Sequence, residues 1–376
     1  MLESIKNKHI NICHISTAHS VKDIRIFYKE CISLANAGFE VSYIVSHERA
    51  EIIDGVNIIT LPFTSSRTQR IFKHTVLAFK AARRLNARLY HLHDPELLPA
   101  GWLLRILGKK VIYDAHEHVS KDILDKPWIQ SKLVRKVVSL SAGLFEQLSA
   151  RVFSGVVAAT SHIAEQFNPS KTAVVRNFPI LSFIAKVPQP ASRNDGKRRI
   201  IYAGALTRIR GIVQLVNAME FVPDDLELVL AGQWEDPVLE QDCLASSGWN
   251  KCTYQGLLPQ QKAYELMKGA DAGILTFLPA ANHFEAMPNK AFEYIACGLP
   301  IVISDFPYWR ELFHENAIFV DPSNPEAIAA GIIKALSQKA DHPNPGRPGK
   351  VAPALLSWET EENTLIEFYK KILSPA

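Results

Sequence analysis

Residues 281–304 read ANHFEAMPNKAFEYIACGLPIVIS, and the way this stretch divides decides the fold. It separates into a loop, a short helix and a buried strand. Pro288 suits the first helical residue, where a missing N–H costs nothing. Gly298 suits the residue just past the helix end. Phe292, Ile295 and Ala296 give the helix an apolar stripe, and Ile301, Val302 and Ile303 form the β-branched run of a buried parallel strand. With Pro288 first in the helix, the cap position falls to Met287, which offers no oxygen to the orphan N–H groups. Those of Asn289 and Lys290 then point out of a positive helix end, which suits a phosphate. Glu285 stands just before that end and Glu293 lies within the helix. Carboxylates beside a phosphate are useful only where they accept hydrogen bonds from sugar hydroxyls. The combination describes a nucleotide-sugar site.

The spacing E-x7-E, followed by a small residue and Cys-Gly-Leu-Pro-Ile-Val, resembles the donor-binding signature of retaining glycosyltransferases of family GT4. Pro-Asn-Lys inside the spacing and Phe-Glu-Tyr at its end are similar to bacterial surface-polysaccharide and lipopolysaccharide transferases. The plainer reading is an amphipathic helix with Lys290 and Glu293 as a solvated ion pair. Agreement of Pro288, Gly298 and the buried strand in one register favours function. The resemblance implies an α/β chain of GT-B fold: two facing Rossmann-like, doubly wound parallel-sheet domains with a cleft between them.

Working outward, the second half alternates throughout. Ile200–Ala203, Leu226–Leu230, Cys252–Tyr254, Ala272–Leu275 and Ile318–Asp321 read as strands separated by helical patterns, which predicts a parallel sheet. The first half opens with a strand at Ile10–Ile15, a helix over about Asp23–Ala37 closed by Gly38, and a strand at Val41–Val45. It lacks G-x-G-x-x-G, the dinucleotide fingerprint. The segment HSVKDIRIFYKECISLANAGFEV also resembles the opening of the same subfamily, with Ala18 and His19 where many GT4 members have two glycines. RLYHLH (88–93) and KKVIYDAH (109–116) are strands that end in polar residues, where open α/β sheets bind ligands. Proline-rich, basic KVPQPASRNDGKRR (186–199) is the expected linker. The expected division is therefore an acceptor-binding domain at 1–185, a linker at 186–199 and a donor-binding domain at 200–356. The resemblance carries the last helix, 357–376, back to the first domain.

Length and composition agree with two globular domains: 376 residues, 47% hydrophobic and 21% charged. A net charge of +4 is too small to indicate nucleic acid. The five cysteines are odd in number and show no metal spacing, so they read as reduced core residues. No apolar run reaches membrane-spanning length, and MLESIKNKHINICHIS has no signal-peptide layout, so a cytoplasmic location is expected. Two stretches, Arg67–Arg88 and Trp128–Val152, interleave lysine and arginine with apolar residues. Such faces suit loose contact with an anionic membrane, or they are simply solvated helix faces.

In GALTRIRG (204–211), Arg208 and Arg210 stand between two glycines and suit a diphosphate leaving group, because a guanidinium binds phosphate oxygens in pairs. The run is similar to the family's Gly-Arg-Leu…Lys-Gly, with Arg210 at the lysine position and Ala205 at the arginine position. Either Arg208 supplies the missing charge or the leaving group is held less tightly. Gly232 closes another carboxyl-end loop. His116, in DAHE (114–117), lies where the resemblance puts a histidine beside the donor sugar. His14, His91 and His93 give weaker signals. No histidine–carboxylate cluster of metal-ligand spacing stands out, so neither metal nor cofactor is expected, and the helix end and arginines must stabilise the phosphates.

The expected activity is metal-independent, retaining transfer of a hexosyl or N-acetylhexosaminyl group. The donor would be a nucleoside diphosphate sugar, UDP in preference to GDP, and the acceptor a lipid-linked saccharide at the inner face of the cytoplasmic membrane. His116, Arg208, Arg210 and Glu285 are the catalytic candidates. Gly204, Gly232, Met287, Asn289, Lys290 and Glu293 are the donor-binding candidates. The rivals are a GT-B sugar-nucleotide epimerase and a non-catalytic GT-B scaffold. The joint presence of Glu285, Lys290 and Glu293 speaks against the scaffold.

Overall fold

Strands form in both halves where β-branched and aromatic residues run uninterrupted, because a parallel strand covered on both faces turns no side to water. The computed structural model describes residues 10–124, 131–191, 195–280, 283–284, 286–341 and 356–374. The chain divides into two units, Met1–Asn177 with Trp358–Ala376, and Phe178–Ser357.

In the first unit the strands are β1 (Asn11–Ser20), β2 (Glu40–Ser46), β3 (Glu51–Ile53), β4 (Val56–Leu61), β5 (Leu89–Leu92), β6 (Lys110–Ala115), β7 (Gly155–Ala158) and β8 (Thr172–Val174). They lie in the order β3-β4-β2-β1-β5-β6-β7-β8. All pairings are parallel except β3–β4. This hairpin is additional to the expected strands. Its turn residues Asp54 and Gly55 have φ of 48° and 82°, the Asp-Gly chemistry of a primed turn. Asp23 caps the helix that follows β1, accepting from the N–H groups of Arg25 and Ile26. The helix Trp358–Leu373 packs in this unit. A Cβ on Gly155 would come within 2.5 Å of the Phe368 ring, so the glycine makes room for that aromatic. Glu361 accepts from the Arg176 N–H at 2.7 Å.

The helix Lys132–Val152 is turned inside out. Its buried residues are Ser139, Glu146, Ser149 and Ala150, while Leu133, Val137, Leu140, Leu144 and Leu148 form an exposed apolar stripe at helical spacing. Tyr113 donates to the buried Glu146 carboxylate at 2.8 Å. Burial pushes the pKa of Glu146 up to about 7.

In the second unit β9 (Arg198–Ala203), β10 (Leu226–Ala231), β11 (Cys252–Tyr254), β12 (Ala272–Leu275), β13 (Ile301–Ser304) and β14 (Ala317–Val320) form one sheet. Its order is β11-β10-β9-β12-β13-β14, and every pairing is parallel. The order reverses between β9 and β12. Crevices at such reversals, outside the carboxyl ends of the strands, are where doubly wound sheets take ligands. The unit begins at Phe178 rather than after residue 185, because Phe178, Ile184 and Val187 are buried in its core. The start of the expected linker is thus packed structure: apolar residues outweigh the prolines around them. All five cysteines are unpaired. Among the described residues no helix is long and apolar enough to cross a membrane.

Candidate functional site

Two loops meet at the β9/β12 reversal, and glycine lets them touch. Gly211 has φ 69°, and a Cβ there would sit 1.9 Å from the Thr276 carbonyl oxygen. The Leu278 N–H donates to Ile209 O at 2.9 Å, closing the same contact. On the other side, a Cβ on Gly232 would lie 1.8 Å from Gly204 O. Backbone bonds from Gly204 N to Ala231 O and from Leu206 N to Gln233 O, both 2.9 Å, zip the loops after β9 and β10 together. The result is a ledge of closely packed backbone. Gly211 and Gly232 are close-approach glycines, and Gly204 supplies the carbonyl that Gly232 meets.

The two arginines on this ledge differ. Arg208 donates to Asp242 Oδ2 at 2.6 Å, and its N–H is taken by Glu235 Oε2 at 3.0 Å. Arg210 folds back over Gly204, its guanidinium 5.3 Å from the Phe277 ring centroid. Its Nη1 reaches Ala205 O at 3.5 Å. No carboxylate pairs with Arg210 among the described residues. Below it, Tyr202 donates to Ala205 O at 3.0 Å. Burial pushes the Tyr202 phenol up to about 12 despite the neighbouring guanidinium.

The helix Asn289–Ala296 flanks the ledge. Its register differs from expectation by one residue: Pro288, φ −80° and ψ 83°, occupies the cap position and Asn289 begins the helix. The Asn289 N–H turns back to Met287 O at 3.0 Å. The free positive end expected at Asn289 is thus shortened, because proline fixes only its own φ and leaves ψ outside the helical range. Burial is also wider than the expected stripe. Ala291, Phe292, Glu293 and Tyr294 are all buried. Tyr294 explains the placement: its hydroxyl accepts from the Ala203 N–H at 2.9 Å. A Cβ on Gly273 would strike its ring at 2.3 Å. Strand β12 thus gives up a side chain so that the helix can lie flat on the reversal. Trp309 pins the preceding loop by donating to Ala286 O at 2.8 Å. Lys290 and Glu293 do pair, Nζ to Oε2 at 2.6 Å, but Glu293 is largely covered rather than solvated. Glu285 lies outside the described residues, as does Trp128.

His116 belongs to the first unit, at the carboxyl end of β6. Its Nε2 is 3.4 Å from Asp114 Oδ2. Burial pulls its pKa down to about 4, against the pull of Asp114, so the imidazole is neutral above that pH. Asp94, just after β5, shapes the loop after β1. It accepts from Ser16 Oγ at 2.9 Å, from the Thr17 N–H at 2.6 Å and from the Ala18 N–H at 3.2 Å. Its other oxygen lies 3.1 Å from His19 Nδ1. These contacts overcome burial and hold Asp94 at about 2, while Asp94, likewise against burial, holds His19 above its ordinary value. Asp94 is the polar residue that the sequence places after the strand 88–93, at a carboxyl end, whereas nothing local in the sequence marks Tyr294 or Gly273.

Residues 184–350 match the family model described as glycosyl transferases group 1. The matched stretch lies within the second unit, which is similar there to glycosyl transferases group 1. Over 148 residues the chain is 30% identical to an uncharacterized glycosyltransferase of Methanocaldococcus jannaschii, a match covering 38% of this chain and 37% of that protein. It is 25% identical to O-antigen chain mannosyltransferase B of Escherichia coli over 45% of each chain. The matches therefore span less than half the length of these curated relatives. Across both units, the solved structure of Anabaena HepE in complex with UDP-glucose superposes with a TM-score of 0.72 at 12% identity, over 96% of this chain and 100% of that one. The fold is GT-B. Within the matched stretch, the structure brings Gly204, Arg208, Arg210 and Gly232 onto one ledge and sets Lys290 and Glu293 on the flanking helix.

Proposed function

We propose that the chain is a retaining glycosyltransferase that moves a sugar from a nucleoside diphosphate, UDP in preference to GDP, to a lipid-linked or saccharide acceptor in surface-polysaccharide synthesis. The observation that carries the reading is Arg210: a guanidinium without a carboxylate partner among the described residues, folded over a glycine ledge at the sheet reversal. Arg210 and Lys290 neutralise the diphosphate with no ion in the phosphate site. Lys290 leaves Glu293 when the diphosphate arrives, and the freed Glu293 carboxylate accepts from the ribose hydroxyls. Glu285 serves the transferred sugar. The departing diphosphate oxygen takes the acceptor proton, so no strong protein base is required. The similarity of the chain to an O-antigen mannosyltransferase, and of the fold to a protein solved with UDP-glucose, supports the donor and acceptor classes.

Calorimetric titration with UDP and GDP, followed by assay of a panel of UDP-sugars, tests this reading. Micromolar UDP binding, product of unchanged anomeric configuration and turnover indifferent to added Mg²⁺ are expected. Absence of binding to either nucleotide overturns it.

The inverted helix Lys132–Val152 supports membrane contact by the first unit. A stripe of exposed leucine and valine bordered by Lys132 and Lys136 suits insertion among anionic headgroups, each cation adding about 1 kcal/mol. Arg70, by contrast, is engaged by Glu96 at 2.8 Å, so the Arg67–Arg88 stretch contributes less. Replacing Val137, Leu140 and Leu144 with serine should abolish co-sedimentation with anionic liposomes and leave UDP binding unchanged. Sedimentation equal to wild type rejects the contact.

A further inference from the structure

The interior of the first unit holds a cluster that donor chemistry does not use. His14 on β1 and His91 on β5 are register partners in the parallel ladder, so their side chains stand side by side. His93 follows two residues on and therefore falls on the same face. Glu30, from the helix Ile24–Cys31, comes down onto all three. Its Oε2 lies 3.9 Å from His14 Nδ1, 3.7 Å from His91 Nδ1 and 3.8 Å from His93 Nε2. His14 Nδ1 and His93 Nε2 are 2.9 Å apart. All four residues are buried from solvent.

Protons alone serve this arrangement badly. Neither Glu30 oxygen has a hydrogen-bond partner. Oε1 sits 3.2 Å from Arg25 Nε, but that N–H is directed at Asp114 Oδ2. A carboxylate whose neighbouring cation spends its N–H elsewhere is costly in a dry interior. Three ring nitrogens and a carboxylate oxygen converging on one point are the donor set of a tetrahedral ion. Zinc–ligand bonds of about 2.0–2.1 Å imply donor atoms roughly 3.3 Å apart, and four of the six separations here run from 2.9 to 3.9 Å.

We propose that His14, Glu30, His91 and His93 bind a zinc ion in a closed, structural site. The surroundings complete it. His93 Nδ1 meets Asp114 Oδ2 at 3.0 Å, and Arg25 holds that carboxylate through Nε and Nη2. This is the carboxylate–histidine–metal relation that fixes a ligating ring. His14 Nε2 meets the Tyr369 hydroxyl at 3.1 Å, so the ion also steadies the helix Trp358–Leu373. The same hydroxyl lies 2.7 Å from His91 Nδ1; with zinc bound it keeps only His14. Coordination by four protein donors leaves no open position, so the ion takes no part in sugar transfer. The site goes beyond the transferase reading and stands or falls separately from it.

The test uses the full chain, purified without a histidine tag. After incubation with zinc chloride and desalting, elemental analysis should find about one zinc per chain. Metal-stripped protein given Co²⁺ should develop the visible absorption of tetrahedral cobalt. Glu30→Gln should lower zinc affinity at least about tenfold while UDP binding in the second unit stays at the wild-type value. Wild-type protein that retains no stoichiometric zinc and gives no tetrahedral cobalt spectrum overturns the site, whether or not the variant folds. So does a folded Glu30→Gln chain that holds zinc as tightly as wild type.

Discussion

Both sheets reverse their strand order once, between β1 and β5 in the first unit and between β9 and β12 in the second. The two crevices are built from opposite chemistry. At β9/β12 the loops approach through Gly211 and Gly232, and the result is a ledge of backbone with a spare cation above it. At β1/β5 the space is filled with buried charge: Arg25 bidentate on Asp114, Asp94 under its loop, and histidines between them. The first arrangement fails when something is added. The second fails when something is removed.

Breaking the charged crevice should have the largest effect. Asp114→Asn removes the carboxylate that the buried Arg25 guanidinium grips with two N–H groups, and losing one partner of a buried pair costs about 3–5 kcal/mol. The urea midpoint should fall accordingly at unchanged m. A loss under about 1 kcal/mol would show that water reaches Arg25.

Filling the glycine crevice comes next. Gly211→Ala meets the left-handed penalty of roughly 1–2 kcal/mol and a collision with the Thr276 carbonyl, which must move away. UDP binding should be lost while the first unit keeps its near-ultraviolet circular dichroism. Wild-type UDP affinity in this variant would detach the ledge from the donor.

Within the ledge, Arg210→Ala should weaken UDP by about 1.5–3 kcal/mol, the worth of a charged hydrogen bond. Arg208→Ala, already committed to Asp242, should change it by less than about 1 kcal/mol, the range of an exposed ion pair. Titration calorimetry decides, and a larger loss at Arg208 would reverse the roles.

The smallest effect is a pH dependence confined to the charged crevice. The hydrogen bonds to Asp94 hold its carboxyl at about 2 in the fold, below its ordinary value of 3.8. Its contribution is therefore complete above the unfolded value and is lost as pH falls from about 4 to 2. It amounts to on the order of 2 kcal/mol. Urea unfolding of wild type and Asp94→Asn at pH 5 and pH 3 should show the gap between them narrowing in acid. A constant gap would mean that Asp94 acts by shape alone.

The sequence by itself determined the alternation of strand and helix, the parallel pairing of the second sheet and the glycines that flank Arg208 and Arg210. These rest on local regularities: uninterrupted apolar strands, Gly298 after the helix, and glycines beside arginines at a strand end. It also placed Lys290 and Glu293 on one helix face, because three residues apart is a property of any helix. The tertiary structure alone decided what those residues do to one another. That Arg208 is paired and Arg210 is not depends on Asp242, which lies far along the chain. That Pro288 caps rather than begins its helix depends on a ψ that proline does not fix. The unit boundary at Phe178 depends on which core receives that ring. The histidine–carboxylate cluster shows the limit most plainly. His91 and His93 are two residues apart in sequence, but His14 joins them through strand register and Glu30 through helix packing. Both are long-range contacts, and a local pattern cannot encode where a distant strand or helix will come to rest.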